Sequence, residues 1–146
     1  MGFEERNTWS FAIITLVSYT VYVVLVLRAA DGGPLVDAPY QPYLLGTIGA
    51  AIVVAILASI AIRISIAVRD REAPQAADQR DREISAFGSR MGQSFMVIGG
   101  IAAMLMAMAE WDWFWIANVI YLCFMLSAMT ESIARIAAYR GGLPQW

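Results

Sequence analysis

Four apolar stretches, at about residues 9–27, 43–68, 88–109 and 114–138, leave little of the 146-residue chain outside them. A helix needs about 20 mostly apolar residues to cross roughly 30 Å of hydrocarbon, and each stretch has that length. The balance of residues agrees, with 60% hydrophobic and 15% charged, against about 25% charged in ordinary soluble domains. In hydrocarbon every backbone N–H and C=O must be satisfied inside the chain, which favours helices. The expectation is an all-α fold, an antiparallel four-helix transmembrane bundle forming a single membrane domain over residues 1–146. The first run reads as a retained span and not as a secretory signal. Glu4 and Glu5 stand where a basic segment belongs, and no small-residue cleavage site follows.

Charge placement predicts the orientation. Arg6 precedes the first span, and Arg69, Arg71, Arg80 and Arg82 lie in the loop at residues 69–87 between the second and third. Arg135 and Arg140 close the fourth, whereas the other two connections hold no arginine. Only Arg28 sits at the opposite helix end. By the positive-inside rule both termini and the 69–87 loop face the cytoplasm, and residues 29–42 and 110–113 face outward. The protein is thus expected in the inner (plasma) membrane as a multi-pass chain. Its partner is the lipid bilayer and not nucleic acid, since the net charge is only −2. The lone Cys123 falls inside a span and cannot form an intramolecular disulfide.

Local signals place the helix ends. Asn7 or Thr8 is a candidate cap for the first helix, with Glu4 and Glu5 complementing its positive end. The Gly- and Pro-rich segment from Asp31 to Pro42 reads as an irregular surface loop, and Pro42 suits the first turn of the second helix. That helix is expected to run on until Pro74. Asp78, one turn before Arg82, reads as the start of a helix leading directly into the third span. The short turn Glu110-Trp-Asp-Trp113 folds spans three and four into a hairpin, and Gly141, Gly142 and Pro144 end the last helix. Gly88, Gly92, Gly99 and Ala103 on span three, with Gly46, Ala50 and Ala58 on span two, put small residues on shared faces. Close backbone contact between these two spans is expected, and the same pattern would serve a homodimer.

Glu131 is the most suggestive residue for chemistry, one turn from Arg135 on span four. About 17 helical residues, at 1.5 Å each, place it near the cytoplasmic interface and not at the midplane. Arg63 and Arg90 are expected at comparable depth. Together the four could form an ion network that ties helices together, or a proton or substrate site. Thr15, Ser18, Tyr19 and Tyr22 make a polar stripe on span one, and Asn118 with Tyr121 another on span four. Such stripes commonly supply interhelical hydrogen bonds, and a ligand pocket between them is the alternative. Trp111, Trp113 and Trp115 belong to an interfacial aromatic belt. Asp78, Arg80, Asp81, Arg82 and Glu83 form a charged surface that could dock a partner or anionic lipid.

Missing residues exclude much. Without a single histidine or lysine there is no retinal Schiff base, no histidine-ligated haem and no Ser-His-Asp triad. The paired methionines Met104/Met108 and Met125/Met129 act as apolar packing, with no histidine or second cysteine to complete a copper site. No cofactor is expected. The chain departs from the small multidrug transporters, which carry a membrane-embedded glutamate in their first span, because its own first span has no carboxylate.

The segment Asp78-Gln-Arg-Asp81-Arg-Glu-Ile84, running directly into an apolar helix, resembles the inner-loop motif of a family of small prokaryotic membrane proteins with four predicted spans. That resemblance implies the same architecture over most of the chain and carries no activity. The functional expectation is a noncatalytic membrane protein with a structural, regulatory or accessory role, as a homo-oligomer or as a subunit of a larger complex. A small transporter or channel using the Glu131 cluster is the alternative. Orientation is directly testable: a cysteine replacing Arg80 is expected to react with a membrane-impermeant maleimide only in opened cells, and one replacing Gly33 already in intact cells.

Overall fold

The computed structural model describes residues 3–69 and 79–142. Four long helices carry it, α1 (Phe3–Ala30), α2 (Tyr40–Arg69), α3 (Gln79–Met108) and α4 (Trp113–Gly141), with a one-turn 3-10 helix at Leu35–Asp37 between the first two. Each of the four is long and apolar enough to cross a membrane, which fits an integral membrane protein. They form an antiparallel bundle whose spatial order is α2, α1, α4, α3, each helix packing on its neighbour in that row.

The helix ends follow local chemistry, though not always the expected one. Asn7 and Thr8 do not cap α1, which begins at Phe3. Thr8 instead lies buried within it and donates to the Glu4 carbonyl at 2.8 Å. Asn7 accepts a hydrogen bond from Ser59 of α2 at 2.6 Å. α1 stops where Asp31 (φ 44°) and Gly32 (φ 78°) turn left-handed. The connection after it is more ordered than its glycines and prolines promise. Its 3-10 turn lays Ala38 against Tyr22, Val26 and Phe114, making the one buried apolar cluster of the described residues.

α3 ends in a Schellman motif, in which the Trp111 N–H bonds the Met106 carbonyl at 3.0 Å and the Glu110 N–H bonds Ala107 at 3.2 Å. Glu110, not glycine, takes the left-handed position at φ 56°. Two residues on, Asp112 caps α4 by accepting from the Phe114 N–H at 2.8 Å. The α3–α4 hairpin is therefore held by a stop and a start that follow one another directly, with only residues 109–112 between the helices.

The expected contact between spans two and three is overturned. Among the described residues α2 has no substantial interface with α3 and packs chiefly on α1, with its first residue Tyr40 set edge-on to Phe114 of α4 at 5.2 Å. The glycines of α3 are already filled by α4. A Cβ at Gly92 would lie 2.7 Å from the Ser127 carbonyl oxygen, one at Gly99 would lie 2.5 Å from Cys123 Cβ, and one at Gly88 2.5 Å from Arg135 Cγ. Nothing comes within 4 Å of such an atom at Gly46, Gly49 or Gly100. Two glycines of the same helix should therefore behave oppositely. Gly92→Ala should destabilise the detergent-solubilised protein by about 1–3 kcal/mol, because a backbone oxygen cannot swing aside. Gly100→Ala should be neutral or stabilise by roughly 0.5–1 kcal/mol through helix propensity, both read by denaturant titration.

Candidate functional site

The α3–α4 seam brings the chemistry together. Arg135 pairs with Glu131 through Nη2 and Oε1, as the one-turn spacing on α4 dictates. Ser89 of α3 completes a triangle: its hydroxyl donates to the same Glu131 oxygen at 3.1 Å and accepts from Arg135 Nη2 at 3.4 Å. Both charged side chains are about three-quarters covered, 24% of Arg135 and 29% of Glu131 remaining exposed. The floor beneath them is glycine. Gly88 and Gly92 let the Arg135 stem and the Glu131 Cβ lie directly on the α3 backbone. Arg135 Nε, pressed against this floor, has no hydrogen-bond partner among the described residues.

One turn further along, the Tyr139 hydroxyl meets the Asp81 carboxylate at 3.1 Å, extending the polar seam to the end of the bundle where the termini lie. Glu131 stands roughly 27 Å along α4 from Trp113 at about 1.5 Å per residue, so in a spanning helix it is near a membrane boundary.

The other members of the anticipated cluster stay apart. Arg90 follows Ser89 in sequence yet is exposed, and it has neither ion pair nor hydrogen bond among the described residues. Arg63 is exposed on α2, which packs chiefly on α1 and meets α4 at its opposite end, through Tyr40. Equal depth along two helices does not imply a shared face. Of the charged surface, Arg80, Arg82 and Glu83 are exposed, and Glu83 accepts from Gln79 at 3.2 Å. Asp81 is turned into the seam by Tyr139, and Asp78 lies outside the described residues.

The polar stripes of α1 and α4 do meet. Tyr22, fully buried, donates to Asn118 at 2.8 Å, and Asn118 in turn donates to the Phe114 carbonyl at 2.8 Å. Tyr121 sets its ring edge-on to Tyr19 and Tyr22, with centroids 5.4 and 5.0 Å away. On the other side of α1, Ser18 donates to the Thr47 carbonyl of α2 at 2.9 Å. These groups satisfy one another, which is the work of interhelical adhesion.

Three participants escaped the sequence reading. Ser89 is one serine among many, Tyr139 stands beyond the anticipated end of span four, and Arg140 lies over the Trp9 ring at 5.7 Å. Only the last had a usable signal, an aromatic at one membrane boundary with a cation at the other end of the chain.

No group of three or more carboxylate or cysteine side chains that could hold a metal ion occurs among the described residues. Comparison with protein-family models, with curated proteins and with solved structures finds no match. The resemblance at Asp78–Ile84 therefore rests on that motif alone.

The triangle makes a coupling prediction. Glu131→Gln and Arg135→Gln should each destabilise, and the double variant should cost less than their sum, with a coupling of about 1 kcal/mol in a double-mutant cycle. Strict additivity would mean that the pair contributes nothing to the fold.

Proposed function

We propose that this chain is a noncatalytic membrane protein, structural or accessory in role, which self-associates through the uncovered side of α2. Both termini face the cytoplasm of the inner membrane in this reading, in accord with the arginine distribution. The observation that carries it is the one-sided attachment of α2. This helix is the least buried of the four and packs chiefly on α1, meeting α4 only where Tyr40 sets its ring against Phe114, and its small residues Gly46, Gly49 and Ala50 stand exposed. Small residues at helical spacing are what close backbone approach requires in lipid, and among the described residues nothing lies within 4 Å of a Cβ placed at Gly46 or Gly49. A second copy offers the same face, so two α2 helices can meet about a twofold axis with the same residues on both sides.

The noncatalytic part has separate support. The carboxylate at span depth is occupied by Arg135 and Ser89, and the tyrosines and Asn118 are occupied by one another. Exposed Arg80 and Arg82, beside the terminal end of the bundle, remain for docking a partner protein.

Disulfide trapping tests this reading. In a Cys123→Ser background, a cysteine replacing Ala50 should give a cross-linked dimer in native membranes, whereas one replacing Ile13 on the lipid-facing side of α1 should not. A monomer at both positions, together with a monomeric mass in detergent, would remove self-association. A proton flux in proteoliposomes that disappears in Glu131→Gln would replace this reading by transport.

A further inference from the structure

At the terminal end of the bundle α1 and α2 part to leave an open cleft of about 470 Å³ lined by Arg6, Trp9, Ser10, Ala61, Ile62 and Ser65. We infer that this cleft binds the headgroup phosphate of an anionic phospholipid, Arg6 and Ser10 facing the phosphate and an acyl chain lying over Ala61 and Ile62. The inference rests on the membrane embedding of the four helices and is independent of self-association.

Charge comes first. The lining has one guanidinium and no carboxylate, and Arg6 has no ion-pair partner among the described residues. A second cation stands close by, since Arg140 lies over the Trp9 ring that forms one wall. Ser10 has no hydrogen-bond partner among the described residues, so its hydroxyl is available to donate to an anion. The Ser65 hydroxyl donates to the Ile62 carbonyl at 2.8 Å and leaves its oxygen at the rim.

Shape points to lipid over a soluble anion. The cleft is open on one side, and one helical turn beyond its lining residues Trp9 and Ala61 stand the exposed apolar side chains Ile13 and Leu57. A chain attached to the bound phosphate would leave the cleft along that apolar surface without crossing a polar barrier. Beside the cleft Ser59 donates to Asn7 at 2.6 Å, which ties the two helices together and fixes their spacing there. Position agrees: basic pockets between spans at a headgroup boundary select anionic lipids, and a zwitterionic choline would bring a cation toward Arg6 and Arg140.

The test is native mass spectrometry of the full chain released from detergent with dioleoylphosphatidylglycerol, with dioleoylphosphatidylcholine, or with inorganic phosphate. The wild type should retain phosphatidylglycerol in preference to phosphatidylcholine. Arg6→Gln should lower that retention by about five-fold, the attraction one basic residue adds near an anionic surface. Arg28→Gln, at the other end of α1, should leave it unchanged. Ala61→Phe keeps every charge and fills the cleft, and it should lower retention as well. Equal retention of the two lipids, or equal loss in Arg6→Gln and Arg28→Gln, would overturn the site. Retention unaltered by Ala61→Phe would place the lipid elsewhere, and binding of inorganic phosphate with the same dependence on Arg6 would make the occupant a free anion and defeat the lipid assignment.

Discussion

Lipid gives helices no reward for hiding apolar side chains from it, so a bundle in hydrocarbon holds together only where backbones come close or polar groups pair. The α3–α4 seam meets that condition most fully. Gly88, Gly92 and Gly99 recur at spacings of four and seven, the 3.5-residue period that keeps one face turned to a partner helix. Against that face lie Arg135, Glu131 with Ser127, and Cys123 of α4. The Glu131–Arg135–Ser89 triangle exists because the glycines bring α3 near enough for a serine hydroxyl to reach a carboxylate on the next helix. Polar chemistry and close packing are here one feature. The many exposed Leu, Ile and Val side chains elsewhere are the lipid-facing exterior that such a bundle requires.

Much of the architecture was legible because the bilayer simplifies the code. Length and apolarity alone locate four helices, and the Glu131–Arg135 pair, the tyrosines and Asn118 fall where one-dimensional spacing puts them. The partner of each face was not legible. Gly88 and Gly92 announce a close contact, but Gly46 and Ala50 announce one equally well, and nothing in a linear pattern says which two faces join. α4 filled the α3 groove with Ser127, Cys123 and two long charged side chains, residues that do not advertise themselves as complements to glycine.

The same limit applies to the candidate site. Glu131 with Arg135 follows from a one-turn spacing on a single helix, which is local information. Arg63 and Arg90 were expected to join this pair on grounds of depth alone, yet depth fixes height and not direction around a helix axis, and both stand exposed. Turn chemistry misled in a different manner. Asn7 and Thr8 are good cap residues that serve instead as an interhelical acceptor and an intrahelical donor, whereas Glu110 occupies a left-handed position where glycine would be expected.

The spatial order α2, α1, α4, α3 divides the described residues into two hairpins of sequence neighbours, joined mainly where α1 meets α4, with Ala38 and Tyr40 adding contacts to Phe114. During synthesis the ribosome delivers α1 and α2 first, so Ser18 finds Thr47 and Asn7 finds Ser59 while the second half is still unmade. The tyrosine contacts to Asn118 and Tyr121 must wait for the last helix to arrive. Biogenesis thus ends with a lateral encounter of two hairpins within the plane of the membrane.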